Sequence, residues 1–187
     1  MTAPVEPAPP GERRPYRPPR LRQLAEAGLR QEGHLWLRVS GASMLPLLRD
    51  GDRVEIRPAA PEDLRRGDLL VFQQGEHLVV HRLVARWGEA WVARGDNLPD
   101  RDPPIPPEAV LGKVRRVDGA AGRIDLTRGL WPPAQALLGR LAGARRGRRR
   151  RDRLLARLQA ALIRGLLLLA AAEAPADPAP TVPGSGV

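Results

Sequence analysis

The sequence predicts a mainly β domain, and three observations carry that prediction. Apolar and polar residues alternate with a period of two in short runs from Leu35 onward. Gly-, Asp- and Asn-rich turns separate those runs at the spacing of a strand-rich fold. The chain is poor in aromatic residues, 3%, so its strands are aliphatic. Seven or so short strands at this spacing imply coiled, barrel-like sheets.

The elements follow in order. Residues 1 to 19 are rich in proline and residues 173 to 187 hold little beyond Ala, Pro and Gly, so both ends are expected to be disordered tails. Leu21 to Gln31 has the apolar spacing of one short amphipathic helix. Leu35, Leu37 and Val39 alternate with Trp36 and Arg38, Val54 and Ile56 with Arg53, Glu55 and Arg57, and Asp50-Gly51-Asp52 turns between them. Gly67-Asp68 opens a strand from Leu69 to Phe72, and a long strand from His77 to Arg86 follows. A Trp-Gly-Glu-Ala-Trp hairpin leads to Trp91 to Arg94, then to Gly95-Asp96-Asn97 and a proline-rich loop. Val110 to Val117 and Ile124 to Leu126 complete the set.

These elements make one domain, residues 20 to 130, large enough for a single modest core. An Arg/Leu-rich helical segment, 131 to 172, follows it. Cysteine is absent, which excludes disulfides and cysteine-based metal sites, and neither a metal nor a cofactor is expected. The formal charge of +10 comes almost wholly from arginine. No apolar run marks a signal peptide at the N-terminus, so a cytoplasmic or peripheral location at the cytoplasmic membrane is expected.

The chemistry centres on V-S-G-A-S-M-L-P-L-L, residues 39 to 48. A serine becomes a nucleophile only where a base takes its proton and backbone N–H groups meet the oxyanion, which demands a fixed loop. Gly41 and Pro46 supply the turn, and Met44 and Leu47 are apolar anchors beneath it. The competing reading is a strand-to-helix connection with an incidental serine. The chain has one lysine, Lys113, whose strand alternation turns it to solvent, so a Ser–Lys dyad is disfavoured. Of the histidines, His34 and His77 lie at strand ends, while His81 is in phase with Val79 and Leu83. A neutral imidazole there needs a polar partner. That partner is either a backbone carbonyl, for a structural histidine, or a catalytic acid.

The runs G-A-S-M-L-P-L-L-R-D-G-D-R-V, R-R-G-D-L-L-V-F, V-V-H-R-L-V and R-G-D-N-L-P-D-R-D with V-L-G-K-V resemble, in order and spacing, the boxes of S24/S26-type serine peptidases: type I signal peptidases and their self-cleaving repressor relatives. The resemblance covers about residues 38 to 117 and implies a β-rich catalytic domain and proteolysis. Ser43 takes the nucleophile's position. His81 stands where most bacterial signal peptidases place lysine and the endoplasmic-reticulum-type branch places histidine. Asp102 matches the aspartate that ends the Gly-Asp-Asn box.

In that arrangement His81 would deprotonate Ser43, and Asp102 would hold the imidazole. Asp96 is the alternative acid, with ordering of the turn and of the Ser43 loop as its other role, and a Ser–His pair without an acid remains a third form. Gly41 cannot add the hydroxyl that some relatives bring to the oxyanion hole. The implied partner is a peptide or preprotein substrate.

Two features set limits. Signal peptidases carry a transmembrane helix ahead of the serine box, where this sequence has only Leu21 to Gln31. A self-cleaving regulator needs a DNA-binding domain there, which about 35 residues do not supply. A dedicated precursor-peptide maturation factor, or a non-catalytic binding protein of the same fold, are the alternatives.

Further on, Arg146, Arg150, Arg153, Arg157 and Arg164 recur at helical spacing opposite Leu155, Leu158, Leu162, Leu166 and Leu169. This C-terminal amphipathic helix, within 145 to 172, is expected to lie on an anionic membrane surface rather than cross it. Docking on the catalytic domain and partner binding are alternatives. No nucleic acid is expected, since no stacking aromatics accompany the arginines. Every candidate catalytic residue precedes Pro103, so this segment is expected to act apart from the chemistry.

Overall fold

The computed structural model describes residues 20–145 and 150–173. The predicted tails lie outside the described residues, apart from Glu173, as does Arg146 of the arginine stripe. The elements run α1 (Arg20–Glu32), β1 (Leu35–Arg38), β2 (Arg53–Arg57), β3 (Leu69–Gln74), β4 (His77–Trp87), β5 (Ala90–Arg94), β6 (Val110–Gly119), β7 (Gly122–Asp125), α2 (Trp131–Ala144) and α3 (Arg150–Glu173). The predicted fold class holds: a mainly antiparallel β domain with a short N-terminal helix and a C-terminal helix.

The strands form one sheet in the order β1-β2-β6-β3-β4-β5, with β7 on β6. Register shifts at Glu55/Ile56, Val71/Phe72 and Leu83/Ala85 are bulges, which bend a strand and increase its twist, so the sheet coils. Its two faces bury separate clusters. One holds Leu48, Val54, Ile56, Leu69, Val71 and Val117 with Leu29 of α1, Leu138 of α2 and Ile163 of α3. The other holds Leu70, Phe72, Leu83, Trp91 and Ile105 under the loop that follows β5.

The strand period decides what β4 delivers. Val79, His81 and Leu83 face the second cluster, while Val80 faces the first and Val84 meets Ala142 of α2. A single strand therefore sends His81 and its neighbour Arg82 to opposite sides.

The two C-terminal helices share the domain's core. Gly67 and Gly139 permit this close approach, because a Cβ on Gly67 would sit 2.1 Å from the Gln135 carbonyl oxygen. By length and composition Arg150–Ala172 could cross a membrane, but here the helix docks on the domain through Gln159, Ile163 and Leu166. Docking splits the predicted leucine stripe. Leu155 and Leu162 are half-buried and Leu166 buried, whereas Leu158 and Leu169 face outward.

Glu55 is buried on β2 between Arg57 (3.0 Å) and Arg116 (2.9 Å). Burial pushes its carboxyl up, but the Arg57 hydrogen bond and the Arg116 charge outweigh that and hold it below the ordinary value of 4.5. A carboxyl whose folded pKa is lowered stabilises the fold above its unfolded pKa and loses that contribution as pH falls through the folded value. Glu55→Gln should therefore lower the melting temperature at pH 7, and the difference from the unaltered protein should shrink as pH falls below 4.5. Thermal melts of both proteins across that range check it.

Candidate active site

Ser43 lies in the extended tip of the β1–β2 hairpin. The ladder continues past the strand ends through Val39 N–H to Asp52 O (2.7 Å) and Gly51 N–H to Val39 O (2.9 Å). The tip then folds back on itself. Gly41 has φ +87°, a conformation open to glycine, and its N–H donates to Asp50 Oδ1 at 3.0 Å. Met44, Leu47 and Leu48 are buried in the core, which fixes the tip to the domain. Ser43 itself is half-buried. Among the described residues its only hydrogen bond is the one its carbonyl accepts from Asn97 N–H, 2.8 Å, so its hydroxyl and its N–H have no partner among those residues.

His81 lines the same cleft as Ser43, a cavity of about 490 Å³ whose walls include Leu37, Val39, Met44, Val80 and Leu98. No hydrogen bond joins the two side chains. On its other side, His81 Nδ1 meets Asp102 Oδ2 at 2.8 Å, with side-chain exposures of 6% and 10%. Phe72 stands edge-on to the imidazole, centroids 6.2 Å apart. Asp102 reaches this place because its N–H donates to Ala93 O (2.9 Å) and Ile105 pairs with Trp91, which lays the loop against β5. A carboxylate on Nδ1 selects the tautomer that leaves Nε2 free to accept a proton.

Asp96 is elsewhere. Its carboxylate receives Arg82 Nε at 2.8 Å and Nη2 at 2.6 Å, with both side chains essentially unexposed, and Gln159 Nε2 at 2.6 Å. The remaining Arg82 donor, Nη1, goes to Gly67 O at 2.9 Å. Asp96 thus sits on the structural side of β4, away from His81.

The turn that Asp96 anchors grips the serine loop. Asn97 N–H bonds to Ser43 O, Asn97 Nδ2 to Ala42 O at 3.1 Å, and Asp96 N–H to Met44 Sδ at 3.4 Å. Gly95 is required at the contact, since a Cβ there would lie 2.7 Å from the Ser43 carbonyl oxygen.

The other titratable candidates are occupied or peripheral. Lys113 Nζ is held by Asp63 O (2.9 Å) and Asp68 Oδ2 (3.1 Å). His77 lies exposed at the cleft's edge, and His34 Nδ1 contacts Glu32 O. Among the described residues no cluster of His, Asp or Glu side chains converges to hold a metal ion.

Sequence reasoning missed Arg82, Asn97, Arg145 and Gln159. Arg82 left a signal: it falls in phase with Val80 and Val84 on a strand buried there, and a buried cation demands an acid. Gln159 and Arg145 gave none, because their partners lie 63 and 49 residues away.

Burial of the guanidinium pushes Arg94 down to about 10, with Arg145 and Arg101 adding repulsion. It remains a cation at neutral pH and donates to the α2 carbonyl of Ala142 at 2.9 Å and to Arg145 O at 3.0 Å. Burial likewise pushes Arg145 down, partly offset by Asp96 and Asp152.

Removing one member of a buried ion pair strands the other without compensation. Asp96→Ala should therefore cost about 3–5 kcal/mol of stability, read by denaturant unfolding, and hydrogen exchange should show the amides of the Ser43 loop losing protection.

In comparisons with known proteins, a family model described as Peptidase S24-like matches residues 16–114. No curated protein matches the chain.

Proposed function

The chain belongs to the Peptidase S24-like family, and from that membership we propose that it is a serine endopeptidase that cleaves a signal or leader peptide in the manner of type I signal peptidases. The observation that carries the reading is the 2.8 Å contact between His81 Nδ1 and Asp102 on the wall of the cleft that Ser43 also lines. It orients one nitrogen of the imidazole and leaves Nε2 free of a hydrogen-bond partner among the described residues.

In the reaction, Ser43 Oγ attacks the scissile carbonyl while His81 Nε2 takes its proton. Asp102 keeps the ring in register and stabilises the imidazolium, without itself becoming protonated. The Ser43 N–H supplies one oxyanion donor. His81 then passes the proton to the leaving amine, and water, activated by the same nitrogen, hydrolyses the acyl-enzyme. Substrate side chains enter against the aliphatic walls, which suits a short apolar segment of an extended peptide. Histidine in the base position supports a likeness to the endoplasmic-reticulum-type signal peptidases, which carry histidine there.

A second reading concerns where the enzyme works. The outward face of α3 exposes Leu154, Leu158, Leu168 and Leu169, each more than half accessible, beside Arg153, Arg157 and Arg164, which are also exposed. A row of exposed leucines flanked by cations matches an anionic membrane surface. The enzyme would lie on that surface with its catalytic domain attached.

Ser43→Ala should abolish peptide cleavage while leaving the fold intact, a loss of several orders of magnitude because acylation has no other nucleophile. A loss of only tenfold would mean that Ser43 is structural. His81→Ala should do the same, and Asp102→Asn should lower kcat by about 10³-fold or more, because an amide can hold the imidazole in the wrong tautomer and does not stabilise the imidazolium. Full activity of His81→Ala would overturn the mechanism.

For the membrane reading, co-sedimentation with anionic and neutral vesicles at low and high salt is the check. Recovery should be greatest with anionic vesicles at low salt, and salt should weaken the arginine share while the leucine share persists. Absence of recovery in all four conditions would remove it.

A further inference from the structure

We propose that the C-terminal helix α3 and the residue leading into it position the nucleophile, with Gln159 and Arg145 acting through Asp96 to fix the loop that carries Ser43. The proposal rests on the serine-peptidase reading, and both residues lie outside the stretch that matches the family.

The turn 95–98 is held from two sides. On the near side its three contacts, from Asn97 and Asp96, reach Ala42, Ser43 and Met44. On the far side Gln159 Nε2 donates to Asp96 Oδ1 at 2.6 Å. Arg145 Nη1 donates to Asp96 O at 3.0 Å and to Gln159 Oε1 at 3.3 Å, and Arg145 Nη2 donates to Leu98 O at 2.7 Å. The serine loop therefore has an unbroken hydrogen-bonded path to α3, two bonds long through Asp96 and Asn97.

Burial gives these contacts their weight. Gln159 is 1% exposed and Arg145 4%, in a region where an apolar side chain would seat α3 without any desolvation cost. Arg82 alone already neutralises Asp96. What Gln159 and Arg145 add is direction: Gln159 fixes the carboxylate, and Arg145 clamps two carbonyls of the turn on the side opposite Ser43. The segment expected to act apart from the chemistry is thus tied to it.

A nucleophile displaced by a fraction of an ångström reacts more slowly without being lost, since misplacement by about 1 Å can cost about 10²-fold. In the 187-residue chain, Gln159→Leu should slow acylation of Ser43 by a fluorophosphonate about 10- to 100-fold, with final labelling still one per chain. The pH profile of acylation should not move, because the His81–Asp102 pair is untouched. Hydrogen exchange at the Asn97 amide should quicken. Ile163→Ala provides the contrast, since it loosens α3 through a buried apolar contact alone. It should lower the melting temperature yet slow acylation clearly less than Gln159→Leu does, as every donor and acceptor of the polar path is kept.

Arg145→Lys, which keeps the charge and loses the fork, should repeat the Gln159→Leu result and serves if Gln159→Leu does not fold. An unchanged acylation rate with unchanged Asn97 protection would overturn the proposal, as would an equal slowing by Ile163→Ala, which would make the role structural. Failure of the unaltered protein to acylate at Ser43 would instead overturn the peptidase reading and the proposal with it, and exchange at Asn97 would still report whether the clamp exists.

Discussion

The ion pair between Arg82 and Asp96 is the contact on which the rest of the site depends. It is bidentate, with side-chain exposures of 0% and 1%, and burying two such charges is costly unless every lone pair and proton is satisfied. Here Gly67 O accepts from Arg82 Nη1 and Gln159 adds a further bond to Asp96, so each Arg82 nitrogen and the shared carboxylate are engaged. A hydrophobic pair of the same volume could hold β4 to the turn equally well. The ion pair differs in fixing one geometry, which is what a turn gripping the proposed nucleophile requires.

The alternation of β4 explains how the proposed base and the clamp come together. His81 and Arg82 are neighbours in sequence and opposites in space. His81 faces Asp102 and the cleft, while Arg82 faces Asp96, the turn and the C-terminal helices. A one-residue slip in the pairing of β3 with β4, in which Leu70 faces His81, would exchange the two sides and dismantle both arrangements at once. The length of the ladder, from Leu69 opposite Arg82 to Gln74 opposite His77, protects against that slip.

Much of the fold was legible because strands declare themselves by period. The alternation of Leu35, Leu37 and Val39, and of Val54 and Ile56, is the pattern of a sheet with one face buried, and the Gly-containing turns fell where the hairpins are. The ends differed by a residue or two, as at Ala90–Arg94, where pairing and not composition sets the limit. Ser43, His81 and Asp102 could be named as candidates because short boxes carried the resemblance. Asp96 was ambiguous because Gly-Asp-Asn serves a turn and a catalytic acid equally well, and only the position of Arg82 separates those roles. The C-terminal helix was the least readable. Its leucine stripe and its arginines are plain in the sequence, but the docked face is set by Gln159 and Ile163, and a buried glutamine leaves no trace in a hydropathy pattern.

The account stands on Ser43 being the group that bonds covalently to substrate. The most direct measurement is to treat the 187-residue chain with a fluorophosphonate and map the modified residue by peptide mass spectrometry. The prediction is a single adduct on Ser43 that fails to form in His81→Ala. An adduct on the neighbouring Ser40, or none at Ser43 in the folded protein, would contradict it.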